Sequence, residues 1–250
     1  MNTRPNVLIG TPTFDRTFHA EYLMSMLTLL SAGVGASFGI RLPYSSLLPM
    51  ARNVLATAVL ENPSYTHLLF VDSDMGFQPS LVRRMLAFDK PFVGCTYPRR
   101  WVDRDRLTSI AQSRADLQSA SIWNAAMGYV GTTTGPVEGG FARASFVGTG
   151  ILLVHRSALE QMRAAFPDLW APQSTDYLRS TLGPHTGLFQ PFTPMTGPDG
   201  IYTGEDVAFV RRWVEGCNGE MWACVDETIT HSGGTTYSGN FAERLGVGEE

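Results

Sequence analysis

The stretch Thr66–Leu86, THLLFVDSDMGFQPSLVRRML, decides the fold. His67–Val71 is an uninterrupted apolar run of strand length, the pattern of a central strand covered on both faces. Asp72-Ser73-Asp74 closes it. Pro79 then opens a helix through Phe88, since proline is tolerated in a first helical turn. Toward the N-terminus, Leu47, Met50, Ala51, Val54, Leu55 and Ala58 recur at helical spacing, which predicts a helix over Ser46–Glu61 stopped by Asn62-Pro63. Asn6–Gly10 reads as a strand ending in the turn Thr11-Pro12-Thr13. A mostly buried helix over Phe18–Ser31 and a strand over Ala36–Ile40 follow. Toward the C-terminus, Pro91–Thr96 is another strand. Strand–helix alternation of this kind predicts a twisted, mainly parallel α/β sheet flanked by helices.

The rest of the chain is less periodic. Residues 97–145 read as an excursion over the sheet, with a short helix near Arg114–Asn124. Phe146–His155 is predicted as one strand, with Ser157 capping a helix to Phe166. Residues 167–203 hold six prolines and four glycines and read as a long loop of the kind that often carries function. Gly204-Glu205-Asp206 opens a helix through Glu215 that Gly216 ends. Met221–Val225 is a last strand, His231 lies in a Gly/Ser/Thr-rich segment, and a weakly ordered tail follows Phe241.

Composition sets the bounds. At 250 residues the chain buries about 70% of its unfolded surface, enough for a core without staples. With 44% hydrophobic and 17% charged residues it is globular, not disordered. Nineteen basic against 23 acidic residues give −4, so overall charge does not point to nucleic acid. Lys90 is the single lysine, which excludes chemistry needing several. Cys95, Cys217 and Cys224 are too few for a disulfide scaffold and suit a reducing compartment. Cys217, Cys224 and His231 are spaced by seven, but no C-x-x-C pair supports a zinc site. Neither a signal peptide nor a membrane span is visible, and a cytoplasmic location is expected.

Asp72 and Asp74 carry the strongest chemical signal. Two residues apart on extended backbone, they point to one side at the C-terminal end of a buried strand, where open α/β sheets bind ligands. Two like charges so close call for a cation, and oxygen ligands suit Mg²⁺ or Mn²⁺. A polar turn capping the next helix is the alternative. Glu205-Asp206 lies in a first helical turn, where acids also offset the helix dipole. His231 suits Mn²⁺, or a structural hydrogen bond. Arg52-Asn53 is compatible with phosphate pairing or with a solvated helix face. Arg99, Arg100, Arg104 and Arg106, interleaved with Tyr97 and Trp101, read as an anion clamp or a solvated loop. Gly148-Thr149-Gly150 allows close backbone approach to a ligand, or a tight strand entry.

Five segments in order carry a family resemblance: Ala51–Leu86 with its D-x-D, Pro91–Arg100 (PFVGCTYPRR), Gly148–Leu159 (GTGILLVHRSAL), Gly204–Cys217 (GEDVAFVRRWVEGC) and Thr230–Gly234 (THSGG). Together they resemble the GT-A glycosyltransferases, most nearly small bacterial and phage enzymes, with some likeness to fungal Golgi mannan mannosyltransferases. The resemblance implies one GT-A domain over 1–240, with a nucleotide-binding half at 1–96, an acceptor-binding half at 97–240 and a tail at 241–250. It implies a metal-dependent hexosyltransferase using a nucleotide-sugar, with a UDP-sugar favoured. The acceptor hydroxyl would belong to a glycan, a lipid-linked sugar or a hydroxymethylated DNA base. By resemblance, Asp74 and His231 ligate Mn²⁺ or Mg²⁺ with help from Asp72. Thr11, Pro12, Thr13, Arg52, Asp72 and Ser73 form the donor site. Asp206 takes the acceptor proton and Glu205 binds the acceptor. A sugar nucleotidyltransferase is the competing enzyme, but TPTFDR after the first strand lacks that class's glycines. A non-catalytic nucleotide- or carbohydrate-binding protein is the other alternative. A phosphatase of the haloacid dehalogenase type lacks its required second Asp pair.

Overall fold

The computed structural model describes residues 4–114, 116–176, 179 and 187–246. The chain opens as β1 (Asn6–Gly10), α1 (Ala20–Ser31), β2 (Ser37–Arg41), α2 (Leu48–Glu61) and β3 (His67–Val71). β4 (Met75–Gly76), α3 (Pro79–Phe88) and β5 (Phe92–Cys95) follow. Through this half the elements fall within about two residues of the expected bounds.

The second half departs further. After β6 (Tyr97–Val102) and α4 (Arg104–Ser113), the short helix expected near Arg114–Asn124 is present as α5 (Ser119–Ala126), followed by β7 (Met127–Val130) and β8 (Thr132–Thr133). The expected strand 146–155 is two strands, β9 (Phe141–Phe146) and β10 (Ile151–His155), separated by the Gly148-Thr149-Gly150 turn. α6 (Arg156–Ala165) is capped by the His155 ring, which accepts from the Ser157 backbone N–H, not by Ser157 itself. The segment 167–203 contains two small hairpins, β11 (Trp170–Ala171) with β12 (Leu188–Phe189), and β13 (Met195–Thr196) with β14 (Tyr202–Thr203). Part of that loop, 177–178 and 180–186, lies outside the described residues, as does 247–250 of the expected tail. α7 (Glu205–Arg211) passes into a π turn over Arg212–Gly216. β15 (Trp222–Cys224), β16 (Ile229–His231), β17 (Tyr237–Gly239) and a helix α8 (Phe241–Gly246) complete the chain.

One eight-stranded sheet has the order β2-β1-β3-β10-β5-β15-β9-β8. β2, β1, β3, β5 and β15 run one way, and β10 and β9 run against them. The architecture is therefore α/β, with a mainly parallel sheet between helices. Side chains alternate between its faces. Leu8, Leu68, Phe70, Phe92, Leu152 and Val154 join α2, α6 and α7 in one core. Val7, Ile9, Leu69, Val71, Val93 and Leu153 join α1 and α3 in the other. Burying each Leu, Phe or Val contributes about 1.5–3 kcal/mol. With both faces apolar, alternation alone cannot fix register. The polar ends do so, with His67 opposite His155 and Asp72 donating its N–H to the Gly150 carbonyl at 2.8 Å. No helix among the described residues is long and apolar enough to cross a membrane.

Candidate active site

β1, β3, β5 and β15 end at one edge of the sheet, and Thr11-Pro12-Thr13, Asp72-Ser73-Asp74 and β6 all leave from it. The turn after β3 is tight: the Met75 N–H donates to the Asp72 carbonyl at 3.1 Å. β4 then pairs antiparallel with β16, setting Met75 opposite His231, and the Ser232 N–H donates to the Asp74 carbonyl at 2.8 Å. Residues 74 and 231 thus become neighbours, with His231 Nε2 3.7 Å from Asp74 Oδ2.

The histidine's tautomer follows from its other nitrogen. Nδ1 lies 2.8 Å from the Pro98 carbonyl, which can only accept. Nδ1 therefore carries a proton, and Nε2 is the ring nitrogen that faces Asp74. The Tyr97 ring packs edge-on against the imidazole at 5.6 Å. Asp74 also pairs with Arg100, whose half-exposed guanidinium reaches over from β6.

Arg52 organises the other carboxylates. It is only 3% exposed, on the buried helix α2. One terminal nitrogen lies 3.1 and 3.2 Å from the two Asp72 oxygens, and the other lies 2.9 Å from Glu205 Oε1. Burial opposes its charge, but Asp72 and Glu205 together raise its pKa, so it remains a cation. Burial also lifts the Asp72 carboxyl above the usual range, aided by Asp74 and opposed by Arg52. Arg52 Nε is buried without a hydrogen-bond partner. The solvated-face alternative for Arg52-Asn53 therefore fails. Asn53 is equally buried and accepts from the Phe192 N–H at 2.9 Å, so α2 pins the loop before α7.

The remaining expected residues divide. Asp206 lies at the start of α7, partly buried, and its Oδ1 accepts from the Val207 N–H at 2.7 Å. Thr11 and Thr13 are buried, with their hydroxyls already engaged by Tyr22 and the Pro43 carbonyl, so the expected pocket is offered by backbone rather than by free hydroxyls. Pro12 is buried between them. The Ser73 carbonyl accepts from His19. His231 ends a strand instead of lying in a loop. Gly148 and Gly150 serve packing: a Cβ at Gly148 would stand 2.1 Å from the Tyr97 hydroxyl, and one at Gly150 would stand 2.9 Å from its ring. Arg100 and Tyr97 were read only as part of an anion clamp, not as neighbours of Asp74 and His231, and Pro98 was not singled out. Their only sequence signal is position, directly after a parallel strand that ends at the ligand edge.

Among the described residues, no three His, Cys, Asp or Glu side chains gather closely enough to hold a metal, at Cys217–Cys224–His231 or elsewhere. Asp72 is committed to Arg52. Asp74 and His231 therefore offer two ligand atoms, one hard oxygen and one imidazole nitrogen. Cis ligands at about 2.1 Å on an octahedral cation stand about 3.0 Å apart, so the observed pair, at 3.7 Å, would close slightly to bind one. The rest of such a shell would come from water and a bound ligand, as is usual for Mg²⁺ with phosphates.

No family model matches the chain, and no curated protein matches it. Solved structures similar in fold include "A197 from STIV", at 14% identity and TM-score 0.49, covering 91% of this chain and 85% of that one. A glycosyltransferase involved in glycosylation of the major capsid of PBCV-1 shares 14% identity at TM-score 0.31, over 65% of this chain and 66% of that one. Mannose-1-phosphate geranyltransferase from Thermus thermophilus shares 12% identity at TM-score 0.40, over 89% and 74%. Likenesses this remote decide neither family nor reaction.

Proposed function

We propose that this chain is a GT-A-type glycosyltransferase that moves a hexose from a nucleotide-sugar, a UDP-sugar first among those to test, to an acceptor hydroxyl on a glycan, a lipid-linked sugar or a hydroxymethylated DNA base. The observation that carries this reading is the convergence of Asp74 with Nε2 of His231 at the ligand edge of the sheet. A bound Mn²⁺ or Mg²⁺ would offset charge developing on the departing nucleoside diphosphate. Asp74 and His231 would hold it, with Arg100 leaving Asp74.

The chain's own residues supply the rest. The backbone of Thr11-Pro12-Thr13 and Ser73 borders the nucleotide. Arg52 fixes Asp72 and Glu205 in one arrangement, which keeps the donor edge and the start of α7 in register. Among the described residues nothing hydrogen-bonds Asp206 Oδ2, and this oxygen accepts the proton from the acceptor hydroxyl as the new glycosidic bond forms. Direct attack of this kind inverts the anomeric centre.

Calorimetric titration of UDP, GDP and their sugars, with Mn²⁺ and with EDTA, tests the reading. One nucleotide should bind at micromolar concentration only with metal, and Asp74→Ala should abolish that dependence while the protein stays folded. Failure of every nucleotide to bind folded wild-type protein with metal present overturns it.

A further inference from the structure

The face of β6 turned away from Asp74 borders a second concavity. β6 and β7 form an antiparallel pair, and with α4 and α8 they enclose a cavity of about 580 Å³. Arg99, Arg106 and Arg244 line it, with Trp101 and Thr132 at its wall. Arg100, between Arg99 and Trp101 in sequence, points instead to Asp74, as alternation along a strand requires.

The three arginines are anchored by backbone. Arg99 Nε donates to the Tyr129 carbonyl at 3.0 Å, Arg106 Nε to the Ala125 carbonyl at 2.9 Å, and Arg244 to the Met127 carbonyl. Anchoring through one nitrogen holds a guanidinium in place before any ligand arrives, which lowers the entropy cost of binding. The terminal nitrogens of Arg99 make no hydrogen bond to the described residues. Among the described lining residues Asp103 is the one carboxylate, and its oxygen is used by the Arg106 N–H in capping α4. Beside the arginines Trp101 is 48% exposed and lies against Gly128, where a Cβ would stand 2.8 Å from the indole. A guanidinium fork is the natural partner of phosphate and carboxylate, and an exposed indole stacks on flat or apolar groups.

We propose that this cavity is a second ligand site for an anion, a phosphate or carboxylate carried on a flat or apolar body, with Arg99 receiving the charged group and Trp101 the body.

Phenyl phosphate is the probe, titrated calorimetrically into the full chain. It should bind one to one, at least tenfold more tightly than benzyl alcohol, and more weakly as salt rises. Arg99→Gln should weaken it at least tenfold. Thr132→Glu leaves every arginine anchor in place and puts a carboxylate at the wall, so it should abolish binding even if Arg99→Gln disturbs the fold. Vesicles of phosphatidylglycerol distinguish the sources: capture that Thr132→Glu removes assigns the anion to a lipid headgroup, and binding of phenyl phosphate without capture assigns it to a soluble ligand. Absence of millimolar binding, or binding unchanged in folded Thr132→Glu, overturns the proposal. So does binding that UDP with Mn²⁺ displaces, since the probe would then sit at the Asp74 edge.

Discussion

Each acidic motif has one carboxylate that Arg52 holds and one that it leaves. Asp72 and Glu205 meet at the same buried guanidinium, although they come from the ends of different elements. Asp74 and Asp206 are outside its hydrogen bonds. Asp74 meets the His231 ring and Arg100, whose side chain is 45% exposed, and Asp206 accepts from its neighbour's backbone. The two classes differ in physics. Taking either acid from Arg52 is costly, because the buried guanidinium that survives cannot return to water. An exposed pair exchanges with water or another cation at little cost. The held carboxylates therefore set geometry, and the spare ones are available for chemistry.

Four substitutions break or sharpen this contrast. Asp206→Asn should lower turnover by about 100- to 10,000-fold with donor affinity unchanged, the scale of a lost general base. Steady-state rates and donor titration check this together, and unchanged turnover would move Asp206 out of the chemical role. Arg52→Leu should destabilise the fold by about 2–3 kcal/mol, since it leaves two half-buried carboxylates without their shared cation. Urea midpoints measure it. His67→Phe provides a control far from the motifs. Burial beside His155 depresses the His67 pKa from 6.5 to about 4. The unfolded chain therefore takes up this proton first, so stability is full above about 6.5 and is lost as pH falls toward 4. Allowing for partial exposure, the loss is about 1–2 kcal/mol. It should be absent from His67→Phe in thermal melts across that range. Arg100→Leu should change stability by less than about 0.5 kcal/mol. It should nevertheless tighten Mn²⁺ binding in the absence of nucleotide, because Asp74 loses a competing cation. If Arg100→Leu costs as much as Arg52→Leu, the distinction between held and spare carboxylates collapses.

The parts legible in sequence were those with a local cause. α3 begins at Pro79 and ends at Phe88 as expected, because both limits are written in adjacent residues. His67–Val71 was equally clear, since nothing but a covered strand suits five residues of that kind in that place. The direction of β10 was not legible: Ile151–His155 is as apolar whether it runs with its neighbours or against them. α4 was missed because its stripe is faint, with Ile110 its one buried residue. β16 is three residues long and has no period to detect, so His231 looked like a loop residue. Arg52 was named, but its burial could not be deduced. Its partners stand 20 and 153 positions away, and a lone arginine on an apolar helix does not reveal which acids reach it.

The reversed strand β10 also imposes an order of events. β3 and β5 are close in the chain, yet β10 separates them in the sheet, so neither completes its hydrogen bonds until residues 151–155 exist. A ribosome working at about 5–20 residues per second delivers them several seconds after β3. During that interval two apolar strands carry open edges, a template for pairing with another chain. The wait for β16, and hence for His231 beside Asp74, is longer still. The Asp74–His231 pair is therefore assembled only after residue 231 has been made, and a product ending before it would carry the sticky edges without the pair.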